Sequence, residues 1–246
     1  MNIADFAPVS LINFPGKVSS TAFIYGCNLR CRYCHNPELV LPSSVCNVSN
    51  EFFEYIKKNK LKAVTITGGE PLMDPRIAEI TEKLKDMNIS IKLDTNGSFP
   101  QKLKTLLRNG HLDYIALDLK GLNTDDIQYV TRNRNYTLDI FLETLNEIKS
   151  YEIHKGSSVN FEIRHTLWKT YSAADFFKFL NLLKQKDIHL KNDQKIIIQK
   201  INTNGKILDK RFKNNDLVRK AISKTYLKKI QQDLEKLPHF SFRSVT

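Results

Sequence analysis

The stretch Gly26-Cys27-Asn28-Leu29-Arg30-Cys31-Arg32-Tyr33-Cys34-His35-Asn36-Pro37 holds three of the four cysteines of this 246-residue chain, spaced C-x3-C-x2-C. A disulfide framework would spread an even number of cysteines over a small secreted chain, whereas tight clustering points to metal. Thiolates are soft ligands that suit iron–sulfur clusters or zinc. A loop this short can wrap three thiolates around three corners of a cubane, and the fourth iron then has no protein ligand nearby and can bind a substrate. Zinc, with His35 as a fourth ligand, is the alternative. Structural zinc sites usually split into two separated ligand pairs, and His35 directly follows Cys34, which makes shared tetrahedral ligation awkward. A two-cluster ferredoxin run has a shorter first gap. The spacing therefore favours iron–sulfur and leaves zinc open. Cys46 lies outside the cluster and reads as a plain thiol.

Outward from this loop, short β-branched or apolar runs alternate with amphipathic stretches. The pattern predicts strands at 20–25, 63–67, 89–94, 114–119, 159–164 and 195–201, and helices at 50–59, 75–87, 100–109, 138–151, 173–186 and 216–237. Such alternation reads as parallel βα units, which right-handed crossovers wind into an open α/β sheet or a partial barrel. Unusual residues follow the strands: Gly26-Cys27, Gly68-Gly69-Glu70-Pro71, Asp94-Thr95-Asn96-Gly97, Asp118-Leu119-Lys120-Gly121, Arg164-His165 and Gln199-Lys200. Ligands of parallel sheets and barrels sit at the carboxyl ends of the strands, so these segments are expected to meet at one mouth. Gly68 and Gly69 allow close backbone approach, although a Gly-Gly turn before a proline is also an ordinary strand ending. Glu70 brings a negative charge suited to an ammonium group. Asp94 and Asp118 fit acid/base, metal-ligand or helix-capping roles. His165 reads as a surface histidine.

The cysteine loop at the end of a first strand resembles the signature of the radical S-adenosylmethionine (SAM) superfamily, and Gly68-Gly69-Glu70 resembles its GGE motif. The resemblance runs from about residue 10 to beyond Gly121. It implies a (β/α)6 partial TIM-like barrel of parallel strands. It also implies a [4Fe–4S] cluster on Cys27, Cys31 and Cys34 whose free iron is chelated by SAM. Tyr33 would lie near the adenine, and Gly68, Gly69 and Glu70 at the SAM amino group. One electron from the reduced cluster cleaves the sulfonium, and the resulting 5′-deoxyadenosyl radical abstracts a substrate hydrogen. Iron–sulfur potentials reach the range this needs, and the protein positions the cofactor and excludes water.

The Asp94 and Asp118 segments resemble the DTNG and DLK segments of the activating enzymes for glycyl radical enzymes. That resemblance implies a monovalent cation lined by Asp94, Thr95 and Asp118, with Lys120 and Arg164 meeting carboxylate charge. Cys34-His35-Asn36-Pro37-Glu38-Leu39 and the leader Ser10-Leu11-Ile12-Asn13-Phe14-Pro15-Gly16-Lys17 are similar to the activating proteins of anaerobic ribonucleoside-triphosphate reductase. Position 13 is Asn where that leader usually has Asp. The implied partners are a glycyl radical enzyme, namely anaerobic ribonucleotide reductase, and a flavodoxin or ferredoxin as electron donor. A small-molecule radical SAM enzyme such as 7-carboxy-7-deazaguanine synthase shares the short barrel and the GGE turn, but the Cys-His-Asn-Pro continuation argues against it. A non-catalytic metal-binding module is the reading from another class.

The formal charge is +12. The basic residues are mostly scattered lysines, as on a solvated surface, including the face of 216–237 opposite Leu217, Ala221, Leu227, Ile230 and Leu234. Carboxylates at the mouth disfavour nucleic acid there. No apolar run is long enough to span a bilayer, and the start lacks the layout of a secretory signal, so no membrane partner and a cytoplasmic location are expected. The chain reads as a single domain, 1–246, with a core at about 10–205 and a helical segment at about 214–237.

Overall fold

The computed structural model describes residues 3–41, 47–155, 159–203 and 206–243; Cys46 lies outside them. Runs such as Ala-Val-Thr-Ile become strands because β-branched and apolar side chains can be buried on both faces of a parallel sheet. Among the described residues the strands are β1 (Ile3–Ser10), β2 (Ser19–Ile24), β3 (Ala63–Gly68), β4 (Ser90–Thr95), β5 (Tyr114–Leu119), β6 (Asn160–Leu167), β7 (Lys195–Lys200) and β8 (Phe240–Arg243), paired in that order in one sheet. β2 to β8 run parallel; β1 is antiparallel to β2. The sheet is open, with β1 and β8 as its edges.

The helices are α1 (Pro37–Val40), α2 (Ser49–Lys58), α3 (Ile77–Asp86), α4 (Pro100–Arg108), α5 (Thr124–Thr131), α6 (Leu138–Lys155), α7 (Ala173–Gln185), α8 (Asp216–Ala221) and α9 (Lys224–Leu234). Their apolar stripes pack on the sheet through residues such as Phe52, Leu84, Leu106, Phe141 and Phe176. Local signals start several of them: Pro100 at the first turn of α4, and a capping box between Ser172 and Asp175 on α7.

The six expected strands are all present, and the structure adds to them. β1 and β8 extend the sheet beyond the expected core of 10–205, and β1 makes it mostly rather than wholly parallel. β1 contains Pro8, which an edge strand tolerates, and the register shifts between Ala7 and Ser10 around it. The short α5, capped where the Asn123 side chain accepts the Asp126 N–H at 2.9 Å, was not expected. The helix expected over 216–237 breaks into α8 and α9, because the Ser223 hydroxyl accepts the Tyr226 N–H and starts a new helix.

A second, smaller core lies beneath the cysteine loop, built from Tyr33, Val130, Trp168, Ile201, Phe212 and Val218. Backbone bonds tie the loop to its surroundings on two sides. Arg30 and Arg32 N–H donate to Thr131 and Val130 carbonyls at the end of α5, at 2.9 and 2.8 Å. Leu208 and Asp209 N–H donate to Cys34 and Arg32 carbonyls, at 2.9 and 3.0 Å. At the opposite end of the sheet, Asn13 donates its side-chain amide to the Thr21 hydroxyl at 2.8 Å; an aspartate there could only accept.

Candidate active site

Cys27, Cys31 and Cys34 are free thiols that line one cavity of about 360 Å³. Burial pushes Cys27 up to about 11 and Cys31 up to about 12, and raises Cys34 as well. Metal ligation must therefore displace tightly held protons. The surroundings supply donors to the sulfurs: the Leu29 N–H reaches Cys27 Sγ at 3.4 Å and Asn96 Nδ2 reaches it at 3.9 Å, while the Asn36 backbone bonds to Cys34. Such outer donors stabilise thiolate ligands. Among the described residues, no three of His, Cys, Asp and Glu converge closely enough to hold a single metal ion. The His35 ring is bonded to the Lys206 backbone. Three sulfurs spread around one cavity fit a multi-iron cluster better than a zinc shell of three cysteines and His35.

The Gly68-Gly69 turn stands against this loop. Gly68 has φ +123°, open to glycine, and a Cβ on it would lie 2.4 Å from Ile24 N. A Cβ on Gly69 would lie 1.9 Å from the Gly26 carbonyl oxygen. Gly69 N–H donates to Ile24 O at 2.9 Å, and Glu70 N–H to Gly26 O at 2.7 Å. The two glycines thus let the tops of β2 and β3 touch, backbone to backbone, and both also line the cavity.

Glu70 departs from expectation. Its side chain is fully buried instead of facing the mouth. One carboxylate oxygen accepts Leu72 N–H at 3.1 Å and the Thr95 hydroxyl at 2.8 Å; the other accepts Asn96 N–H at 2.7 Å. Glu70 therefore locks the turn after β3 to the turn after β4. Burial pushes its carboxyl up to about 7, against the pull of these three donors. In Glu70→Gln an amide NH2 must face a backbone N–H in either orientation, which should cost roughly 1–3 kcal/mol. The sign of the pH effect follows from the raised value. Glu70 contributes stability that is complete below the ordinary carboxyl value of 4.5 and is lost as pH rises through about 7. Urea denaturation from pH 5 to 8 should show that decline in the wild type and not in the Gln variant; parallel curves would refute it.

Charges alternate across β4, β5 and β6 on the cavity side. Lys92 pairs with Asp94, whose other oxygen accepts Arg164 Nη1 at 3.1 Å. Arg164 Nε donates to Asp118 Oδ1 at 2.8 Å, and Lys120 Nζ to Asp118 Oδ2 at 3.0 Å. The register places Asp118 directly beside Arg164. Burial alone would raise the Asp118 carboxyl, but Arg164 and then Lys120 outweigh it and hold it below the usual carboxylate range. Asp118 in turn keeps Lys120 charged despite burial. The position between Asp94 and Asp118, where the sequence suggests a monovalent cation, is bridged by the Arg164 guanidinium, and the Thr95 hydroxyl points to Glu70.

Tyr33, Gly68, Gly69, Asp94, Thr95, Asp118, Lys120 and Arg164 all border the cavity with the three cysteines, while Glu70 lies behind it. The Lys120 ammonium stands 5.9 Å from the Tyr33 ring centre. His165 is not a surface histidine: it is fully buried, with Nδ1 bonded to the Leu119 carbonyl at 2.9 Å, and burial lowers it to about 4. Sequence reading passed over Asn96, which reaches Cys27, and the buried Lys92. Asn96 carried a signal, lying among the residues that follow β4; a lysine inside a strand carried none.

The profile of the radical SAM superfamily matches residues 21–183. The chain belongs to that superfamily, whose members use a [4Fe–4S] cluster and SAM. A Methanocaldococcus jannaschii protein named for glycyl-radical enzyme activation is 35% identical over 119 residues, which are 48% of this chain and 50% of the relative. A pyruvate formate-lyase-activating enzyme of Clostridium pasteurianum is 26% identical over 96% of this chain and 97% of its own length. The chain thus spans about half the length of some curated relatives and nearly all of another. Streptococcus suis SuiB bound to precursor peptide SuiA superposes with a TM-score of 0.59 at 15% identity, over 89% of this chain and 47% of SuiB, a likeness of fold.

Proposed function

We propose that this radical SAM enzyme is an activase that places a glycyl radical on a partner enzyme, anaerobic ribonucleotide reductase, working as a single domain in the cytoplasm with a flavodoxin or ferredoxin as electron donor. The observation that carries the reading is one cavity shared by the three free thiols, the Gly68-Gly69 turn and the charged ends of β4, β5 and β6. The activase names of relatives support a glycyl radical enzyme as the partner, and the choice of the reductase rests on the Cys34-His35-Asn36-Pro37 segment alone. An open sheet edge suits a substrate as large as a polypeptide loop. No described helix is long and apolar enough to cross a membrane.

When bound, the cluster would supply the one-electron reduction that splits SAM. Cys27, Cys31 and Cys34 would hold the cluster, with Leu29, Asn36 and Asn96 donating to two of the sulfurs. With Glu70 turned inward, the backbone of Gly68 and Gly69 is left to meet the SAM ammonium. Lys120 and Arg164, which border the same cavity, would meet its carboxylate. A monovalent cation would have to share Asp118 and Asp94 with Arg164 and, at Asp94, with Lys92, and Tyr33 would offer its ring to the adenine.

Anaerobic reconstitution should give about four irons per chain. Dithionite and SAM should then yield 5′-deoxyadenosine, and mixing with the anaerobic reductase should produce a glycyl radical signal in electron paramagnetic resonance. Stoichiometric zinc without nucleoside product would sink the cofactor reading. Turnover of a small purine precursor without a protein radical would replace the activase with a small-molecule enzyme.

A further inference from the structure

The residues after β7 lie along the cysteine loop and carry a face that the chemistry above does not use. Leu208 N–H bonds to the carbonyl of the ligand residue Cys34, and the Lys206 backbone meets His35. Flanking these contacts, Lys206, Lys210 and Arg211 are exposed, and none has a carboxylate partner among the described residues. The carboxylate in their midst, Asp209, is only 10% exposed and is occupied by Arg32 at 2.7 Å and by Arg132, which itself remains 43% exposed. Beside them stands Tyr129, 41% exposed, stacked on Trp168 at 5.5 Å and covered by the Arg32 guanidinium at 4.6 Å.

We propose that this face docks an acidic one-electron carrier protein that reduces the cluster; the inference rests on the function proposed above. Three observations converge. The face adjoins Cys34, so a carrier seated there comes close to the place where the three cysteines would hold the cluster. Its outward charge is mainly positive, from Lys206, Lys210, Arg211 and Arg132 against the exposed Glu38 near Cys34, which steers a negative partner and discriminates against a positive one. A rigid tyrosine beside an arginine is the kind of anchor on which protein interfaces concentrate their binding energy. One electron leaves the carrier's reduced cofactor and enters the cluster, and no bond is made or broken. Nucleic acid would also be drawn to a basic face with an aromatic, but nothing would then call for placement against a cluster ligand.

The test is stopped-flow reduction of the reconstituted holoenzyme by a strongly acidic recombinant flavodoxin, with dithionite as the small-molecule control. K206E/K210E/R211E should slow the flavodoxin reaction at least about tenfold at low ionic strength. It should also remove most of the salt dependence of the rate. Reduction by dithionite and iron content should stay at wild-type values, and K206Q/K210Q/R211Q should fall between. Equal flavodoxin rates and equal salt slopes in wild type and reversed variant overturn the proposal. So does loss of oligonucleotide binding with carrier-driven reduction intact. A wild type that holds no cubane, or whose cubane dithionite reduces without SAM cleavage, overturns the functional reading itself, a result the flavodoxin comparison cannot mimic.

Discussion

Gly69→Ala is expected to destabilise the protein by about 3 kcal/mol, the upper part of the range for overfilling a packed site. For a chain of this size that is roughly a 6–12 °C fall in Tm. The added methyl would sit 1.9 Å from the Gly26 carbonyl oxygen, 2.6 Å from its carbon and 3.3 Å from Cys27 N. All three are backbone atoms, so no side chain can swing away. Relief requires parting β2 from the turn after β3, which breaks the 2.7 Å bond from Glu70 N–H to Gly26 and moves Cys27. Cluster retention after reconstitution should fall with stability. Gly110→Ala is the control: a Cβ there meets nothing within 4 Å, and its φ of +70° alone should cost roughly 1–2 kcal/mol. Calorimetry of the metal-free proteins compares them directly. Equal melting temperatures for the two variants would show that the loop and the turn are not in the contact described.

Removing Asp118 should have an effect of similar size by a different route. Asp118→Ala leaves the Arg164 and Lys120 charges without their shared partner, and stripping one member from a buried ion network costs about 3–5 kcal/mol. These side chains retain some exposure, 15–25% for Arg164 and Asp118, which places the expected cost near 3 kcal/mol. Because the folded carboxyl lies below the ordinary range, its contribution is complete above the unfolded value near 4 and is lost only as pH falls toward the lowered one. The gap between wild type and variant in urea denaturation should therefore stay level from pH 8 to 5 and close only in acid. A cost under about 1 kcal/mol would mean that water screens the trio as it screens surface pairs.

The parallel βα rhythm was readable because its strands are rich in β-branched and apolar residues and largely buried, and the cysteine loop because thiols at that spacing have few other uses. β1 and β8 were not readable. β1 is an edge strand with weak alternation and a proline, and β8 spans only four residues, Phe240 to Arg243. The convergence of Gly68, Gly69, Asp94, Asp118, Lys120 and Arg164 followed from strand ends facing one way. The inward turn of Glu70 did not, since it depends on three donors that only tertiary structure brings together. For His165 the error lay in parity: it belongs to the opposite face of β6 from Arg164, among Tyr171 and Phe176.

The ion pair between Arg32 and Asp209 joins residues 177 positions apart. During translation the cysteine loop would emerge long before the segment that clamps it. Iron delivered to a nascent chain would thus find an unlatched receptacle, and the latch would close only when the segment after β7 had also left the ribosome.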